Sequence, residues 1–205
     1  HESAFIEKQR KGGPRIVDLR DGKDRVAETI AAMKEGVDLI VQGQLEHDRW
    51  GGYPDVLRKI EPHSKLGHWS YEVIDTKLAR ETKGTTILQL SLYSEMVAAI
   101  QGVAPERFYV VTPERDEDYR VSDYAAYYRL VKQCLLDTMS CDPIAVAGAN
   151  YPEPVPYCEV CSWEQQCDKR RRADDHLSLV AGISRLQRRE FEIHDVKTLA
   201  KVAGA

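Results

Sequence analysis

The stretch that organises the chain is Trp69-Ser-Tyr-Glu-Val-Ile-Asp-Thr-Lys-Leu78, which has the branched and aromatic residues of a buried strand but carries two opposite charges near its end. Successive side chains of a strand point to opposite faces, so Asp75 and Lys77 are predicted to stand side by side, in line with Val73. An isolated buried charge is too costly to keep. Asp75 and Lys77 must therefore be paired with each other, hydrated or bound to another group.

Length and composition describe an ordinary globular protein. The 205 residues suit one domain, or one domain with a small appendage. A formal net charge of −4 argues against wholesale binding of polyanions, although the run Lys169-Arg-Arg-Arg172 allows a local phosphate contact or a solvated helix start. No apolar run approaches the ~18 residues of a membrane span, and no signal peptide is visible. A cytoplasmic protein without a membrane partner is expected.

The order of patterns predicts an α/β fold with a mixed central sheet flanked by helices. Three strands in an antiparallel meander precede a long apolar helix, and a second strand pair and further helices follow. The first residue is not Met, so we expect a fragment of a longer protein. The predicted strands and helix lie at Val37–Leu45, Tyr53–Ile60, Trp69–Leu78 and Thr86–Gln101. The predicted segments are a core over 1–148, a cysteine-cluster loop over 149–173 and a helical tail over 174–205, for which the start of a further domain is one interpretation.

A second acidic residue, Asp55, opens the strand predicted to neighbour the Trp69–Leu78 stretch. Adjacent antiparallel strands bring Asp55 close to Asp75, and two like charges tolerate this when a cation lies between them. Mg²⁺ held by carboxylates and water leaves room for a substrate phosphate, and Lys77 would then steady the attacking water or the phosphate charge. This set of residues predicts metal-assisted hydrolysis of a phosphodiester.

The long helix adds Gln89 and Tyr93, which lie one turn apart on the same helix face and are predicted to contact a backbone phosphate. His1 is a further candidate ligand through a neutral imidazole nitrogen. A structural interpretation stays open for the same residues. In it Asp75 and Lys77 form a simple ion pair, Asp55 is a turn residue, and the helix positions serve packing.

Four motifs in order resemble the PD-(D/E)XK nuclease superfamily, specifically its RecB-type branch: His1, Tyr-Pro-Asp55, Glu-Val-Ile-Asp75-Thr-Lys77 and Gln89-Leu-Ser-Leu-Tyr93. The resemblance covers about residues 1–130 and continues into the cysteine region. A lone Asp-x-Lys is a weak signal, whereas the four motifs together are fairly specific. The resemblance implies a restriction-endonuclease-like core in which His1, Asp55, Asp75 and the main-chain carbonyl of Thr76 hold Mg²⁺ or Mn²⁺, Lys77 is the catalytic lysine, and Gln89 and Tyr93 position DNA.

Three cysteines crowd into one segment as Cys158-Glu-Val-Cys161 followed by Cys167. Thiolates so close in a loop can converge on one metal, whereas two cysteines three apart would form a strained disulfide. Metal binding in a reducing compartment is therefore the prediction. Within the chain the fourth ligand would be Cys141 or Cys134, although Cys134 sits in an amphipathic helix and is predicted to belong to the core.

The resemblance implies a different fourth ligand. RecB-type nucleases with an iron–sulfur clasp take one cysteine from before the first motif and three from a C-terminal Cys-x₂-Cys-x₅-Cys. A 4Fe–4S cluster on Cys158, Cys161 and Cys167, with its fourth cysteine upstream of residue 1, is the leading hypothesis, and a Zn²⁺ site is the alternative because thiolates suit both.

The predicted function is metal-dependent cleavage of DNA, acting on single strands or duplex ends, by a nuclease domain covalently linked to the further domains of a larger repair or recombination protein. Two other classes stay open. One is a nuclease-like module that binds DNA with weak or no cleavage. The other is a zinc-stabilised interaction domain with no nucleic-acid role, which would show neither metal-dependent cleavage nor salt-dependent DNA binding.

Overall fold

The computed structural model describes residues 2–204, and it describes residues 147–149 by their backbone alone. The chain divides into two compact units, one up to Leu136 and one from Asp137 onward. No helix in the described part of the chain combines the length and the apolar character that a membrane crossing requires.

The first unit is an α/β unit built on a mixed sheet. Its strands are β1 (Ile16–Asp18), β2 (Leu39–Val41), β3 (Leu45–His47), β4 (Trp50–Gly52), β5 (Val56–Ile60), β6 (Ser70–Thr76), β7 (Arg107–Val111) and β8 (Asp116–Arg120), and its helices are α1 (Glu2–Arg10), α2 (Arg25–Lys34), α3 (Gly84–Gln101) and the start of α4 (Val121–Ser140). Within the described residues, six strands form one sheet in the order β1-β2-β5-β6-β7-β8, and β3 and β4 form a separate hairpin.

Pairing within the large sheet is mixed. The β1–β2 and β6–β7 pairs are parallel, whereas β2–β5, β5–β6 and β7–β8 are antiparallel. The predicted α/β class and mixed sheet are therefore confirmed.

Helices cover both faces of this sheet, because alternate strand residues point to opposite sides. On one face, Met33 of α2 and Leu90 of α3 belong to the same buried cluster as Val73. On the other face, Ile6 of α1 packs in a second buried cluster that includes Ile74. The sheet is thus a buried layer between helices.

Capping residues set the limits of two helices that pack on the sheet. The side chain of Asp24 accepts a hydrogen bond of 3.1 Å from the Ala27 N–H at the start of α2. Gly102 ends α3 in the left-handed conformation with a φ of 75°, which glycine adopts without the steric cost of a Cβ atom. The predicted limits of the Thr86–Gln101 helix are correct to within two residues.

The predicted strand over Val37–Leu45 is split in the structure. β2 ends at Val41 because Gln42 has a φ of 53°, which turns the chain out of the sheet. Gly43 follows in close contact with α2, where an added Cβ would lie 2.9 Å from Thr29 Oγ1. The chain then forms the β3–β4 hairpin before returning as β5, so the predicted meander of β2, β5 and β6 is correct in pairing but interrupted.

Gln101, at the end of α3, replaces a strand beside the beginning of β6. Pairing between β6 and β7 begins at Val73, so the backbone of Tyr71 lies ahead of that ladder. The Gln101 Oε1 accepts a hydrogen bond of 2.7 Å from the Tyr71 N–H, and its Nε2 donates to the Tyr71 carbonyl at 3.2 Å and to the Val103 carbonyl at 2.9 Å. Because Gln101 is fully buried, these bonds satisfy groups that water cannot reach.

We expect Gln101→Ala to lower the free energy of unfolding by about 2–4 kcal/mol, because two buried backbone groups of Tyr71 lose their partners. Urea unfolding followed by circular dichroism measures the change. Gln165→Ala, at an exposed position of the second unit, is the matched control and should be nearly neutral. Equal effects of the two substitutions would contradict the role of Gln101.

The second unit is helical. It contains α5 (Pro143–Ala149), α6 (Glu164–Ala173), α7 (Arg185–Ile193) and α8 (Leu199–Ala203), with 3-10 turns at Pro156–Val160 and Leu177–Leu179. Leu177 is fully buried, and the buried Arg171 donates a hydrogen bond of 3.1 Å to the Pro152 carbonyl. The predicted helical tail is present, but ten of the 25 residues of the predicted cysteine loop form the helix α6.

Candidate functional site

Asp55 and Asp75 meet at one end of the large sheet. Val56 of β5 is paired with Ile74 of β6 in antiparallel register, so one residue further along places Asp55 opposite Asp75. Side chains directly opposite in such a pair have their Cβ atoms roughly 5 Å apart. The structure therefore brings together the two carboxylates that the sequence singles out.

Asp75 is a buried carboxylate that forms an ion pair with Lys77. It is 3% exposed, and Lys77 Nζ lies 2.8 Å from its Oδ2. The Lys77 ammonium is thus the cation that balances the Asp75 carboxylate. Burial raises the pKa of Asp75 to about 6, with the Asp55 carboxylate adding to the rise and Lys77 opposing it.

Asp55 is held by its neighbours in a fixed orientation. Its Oδ2 accepts hydrogen bonds of 2.8 Å from both the backbone N–H and the hydroxyl of Thr76. Its Oδ1 accepts a hydrogen bond of 3.2 Å from Gln42 Nε2, and the Gln42 N–H donates to the Asp55 carbonyl at 2.9 Å. These contacts fix the carboxylate from two sides and leave it half-buried beside Asp75.

Gln42 and Glu2 are site residues that sequence reasoning missed. The same Gln42 Nε2 that contacts Asp55 also donates a hydrogen bond of 3.1 Å to Glu2 Oε2, which brings a third carboxylate to this end of the sheet. Glu2 also forms an ion pair of 2.9 Å with Arg20. The one signal in the sequence is Gly43, which interrupts a branched run immediately after Gln42.

Gln89 and Tyr93 lie on α3 and contact each other. Gln89 Nε2 donates a hydrogen bond of 2.9 Å to the Tyr93 hydroxyl. The Tyr93 ring packs so closely on the hairpin that a Cβ added at Gly52 would lie 2.3 Å from its Cε1. Since Gly52 is three residues before Asp55, this pair lies against the segment that leads into the acidic site.

Two of the predicted ligands stay predictions. His1 lies outside the described residues. Thr76 reaches Asp55 through its N–H and hydroxyl, and the ligand role expected of its carbonyl remains a prediction.

The donor set fits a hard divalent cation. Mg²⁺ and Mn²⁺ prefer carboxylate and carbonyl oxygens, and the carboxylates of Asp55 and Asp75 lie side by side. Lys77 balances one of the two negative charges, and a divalent cation would balance the remainder. Asp55 retains accepting capacity as well, because each carboxylate oxygen offers about two lone-pair sites.

The three clustered cysteines occupy two kinds of backbone. Cys158 lies in a 3-10 turn, where its Sγ accepts a hydrogen bond of 3.3 Å from the Val155 N–H, and Cys167 lies on α6. None of the five cysteines, all within the described residues, forms a disulfide. Cys134 is exposed, so the prediction that it belongs to the core is wrong; α4 has no buried residue over its described length.

Three side chains of the second unit lie close enough together to be considered as metal ligands, but one of them is already paired with an arginine. Among the described residues, the group whose ligand atoms all lie within 4.8 Å of one another is Glu153, His176 and Glu192, and it contains no cysteine. Arg188 Nη2 forms an ion pair of 2.5 Å with Glu153. The Glu153 carboxylate is thus already balanced by a guanidinium, and its role is structural.

Comparison with models of protein families does not assign the chain to a family. A scan against models of protein families finds no match, and a search of curated proteins finds no match either. The chemistry of the site has to follow from its own residues, which are two adjoining carboxylates, a lysine and an amide–phenol pair.

We expect Asp75→Asn to increase the free energy of unfolding near neutral pH in metal-free buffer, because the amide removes a charge that the fold buries. A carboxyl whose pKa rises from its ordinary 3.8 to about 6 on folding favours folding below its ordinary pKa, and it loses that contribution as the pH rises through about 6. The gain of the variant should therefore vanish as the pH falls toward about 4.

Urea unfolding at a series of pH values in the presence of EDTA measures this gain. Glu61→Gln makes the same carboxylate-to-amide change at an exposed position and serves as the control. A variant that is less stable than the native chain near neutral pH would contradict the account of Asp75.

Proposed function

We propose that the first unit is a metal-dependent DNA nuclease domain of the RecB type, with its mixed sheet as a restriction-endonuclease-like core, within a larger repair or recombination protein. The observation that carries the proposal is the buried Asp75 carboxylate, which lies opposite the Asp55 carboxylate while the Lys77 ammonium beside it balances one of the two charges. Linked further domains and DNA as the substrate belong to the same proposal.

The placement of the motifs on the fold supports this proposal. Asp55 directly precedes β5, Asp75 lies on β6, and Lys77 follows at the end of that strand. Gln89 and Tyr93 lie on the helix that comes next in the chain. Motifs that are separate in sequence therefore occupy adjoining strand ends and one packed helix.

Asp55 and Asp75 would hold Mg²⁺ or Mn²⁺, together with the carbonyl of Thr76 and with His1. When bound, such an ion lowers the pKa of a water molecule and offsets negative charge on a phosphate. Thr76 and Gln42 keep the Asp55 carboxylate aligned, so it needs little reorganisation to act as a ligand.

Lys77 supplies a positive charge at the edge of the site. Its ammonium is one-third exposed and lies 2.8 Å from Asp75 Oδ2, so it can donate to a phosphate oxygen or to the attacking water while Asp75 restrains it. Removal of a preorganised donor from an active site typically costs about 10²–10³-fold in turnover.

The pair of Gln89 and Tyr93 would position the DNA backbone. One amide hydrogen of Gln89 is used in the bond to the Tyr93 hydroxyl, and the second remains for a phosphate oxygen. Tyr93 is buried against Gly52, which gives the amide a rigid support. Contacts of this kind set the register of a strand without reading its bases.

The cysteine segment would bind a second metal centre, distinct from the Mg²⁺ or Mn²⁺ ion at Asp55 and Asp75. Three thiol ligands within ten residues suit a 4Fe–4S cluster, with its fourth cysteine from upstream of residue 1, and Zn²⁺ is the alternative. Cys158, Cys161 and Cys167 are the ligands in either case, and the cluster would serve structure while Asp55 and Asp75 serve cleavage.

We expect the chain to cleave end-labelled DNA with Mg²⁺ or Mn²⁺, and expect Asp75→Asn and Lys77→Ala each to lower turnover by about 10²-fold or more, because each removes charge at the reacting phosphate. Gel analysis of single-stranded and duplex substrates measures the rates. Glu61→Gln is the matched control. Full activity of Asp75→Asn would overturn the nuclease assignment, and salt-dependent DNA binding without cleavage would favour a binding module.

A second variant tests the support of Tyr93. We expect Gly52→Ala to raise the KM for DNA cleavage several-fold, since the added methyl must displace the Tyr93 ring. Gly84→Ala, on the same helix as Tyr93, adds a methyl with no atom within 4 Å and should leave the KM unchanged. If Gly52→Ala also left the KM unchanged, Tyr93 would have no part in holding DNA.

A further inference from the structure

A pocket of about 280 Å³ opens beside the proposed site in the first unit. Its walls are largely apolar and come from β4, α3 and the first part of α4. The residues that matter here are Trp50, Gln89, Leu92, Tyr128, Val131 and Lys132. Trp50 and Tyr128 supply aromatic rings, and Gln89 supplies an amide that can hydrogen-bond.

The charged groups at this pocket are balanced against one another. Lys132 Nζ forms an ion pair of 2.6 Å with Glu95 Oε1, and the Tyr128 hydroxyl donates to Glu95 Oε2 at 2.5 Å. The same Lys132 Nζ lies 5.3 Å from the centre of the Trp50 ring. Lys132 and Tyr128 therefore neutralise and hydrogen-bond the Glu95 carboxylate, so it would not repel the phosphates of a DNA strand.

The pocket is connected to the acidic site through residues that both share. Gln89 and Tyr93 line the pocket and form the pair that would hold the DNA backbone. Asp55 is the third residue after Gly52, which contacts Tyr93, so the chain between them spans at most about 11 Å. A strand whose phosphate lay at Asp55 and Asp75 would therefore place a nearby nucleotide at this pocket.

We propose that this pocket receives one unstacked nucleobase of a single-stranded DNA end, and so selects single strands over intact duplex. The inference rests on the proposed nuclease function and adds its substrate class. A base offers a flat ring to stack on Trp50 and polar edges for the Gln89 amide, which matches the composition of the pocket. A base inside a duplex is paired and stacked, so it cannot enter without being extruded.

Equilibrium binding tests this pocket without any cleavage. The chain is titrated in EDTA with fluorescent single-stranded oligonucleotides that carry one abasic site at successive positions. We expect one abasic position, and separately Trp50→Ala, to weaken binding about 5- to 100-fold, the range of one base–aromatic stack. Because both changes remove the same contact, combining them should weaken binding no further than either alone.

Two variants guard against a folding defect in Trp50→Ala. Trp50→Phe keeps an aromatic ring and should retain most of the binding, and Val131→Phe should fill the pocket and weaken binding while Trp50 stays in place. Leu130→Ala removes an exposed apolar side chain from the same helix as Val131 and is the matched control. Circular dichroism of each variant establishes that the fold is intact.

The outcomes separate the pocket from the nuclease proposal. Equal binding by the native chain, Trp50→Ala and Val131→Phe, or equal affinity for every abasic oligonucleotide, would overturn the pocket even if the chain cleaves DNA. Base-dependent binding through Trp50 in a chain that cleaves no DNA would uphold the pocket and overturn the nuclease assignment. Tighter binding of blunt duplex than of single strands would overturn the proposed selectivity.

Discussion

The buried carboxylate of Asp75 is the constraint on which the site depends. It lies opposite Asp55, and Lys77 balances only one of these two charges. Burial in a medium of low polarity makes such an excess of negative charge costly, so the site is poised for a cation. Glu2 is linked to Asp55 through Gln42, but its own charge is balanced by Arg20.

The fold maintains this arrangement by fixing strand ends. The antiparallel pairing of β5 with β6 sets Asp55 opposite Asp75. On the other side of β6, the parallel pairing with β7 extends to Lys77, whose N–H donates a hydrogen bond of 2.9 Å to the Val111 carbonyl. Helices on both faces bury the sheet, and Gln101 satisfies the backbone at the other end of β6. A rigid scaffold of this kind can hold like charges close together, which a flexible loop would separate.

Periodicity was sufficient to predict the long elements and the meeting of Asp55 and Asp75, because strand alternation and antiparallel pairing are local rules. Gln42 escaped prediction, since its left-handed backbone and its bond to Glu2, forty residues away in sequence, have no local pattern. The helix carrying Cys167 also escaped, because α6 is mostly charged and has no apolar stripe. Cys134 shows the opposite error, since helical periodicity alone does not guarantee burial.

The claim that Asp55 and Asp75 form a cation site is tested most directly by calorimetric titration of Mn²⁺ into the native chain and into Asp75→Asn near neutral pH. The account predicts binding of an ion to the native chain that weakens as the pH falls below about 6, because binding requires the ionised form of Asp75. The same titration of Asp75→Asn should show that this binding is lost. Equal Mn²⁺ affinity of the two proteins would contradict the account.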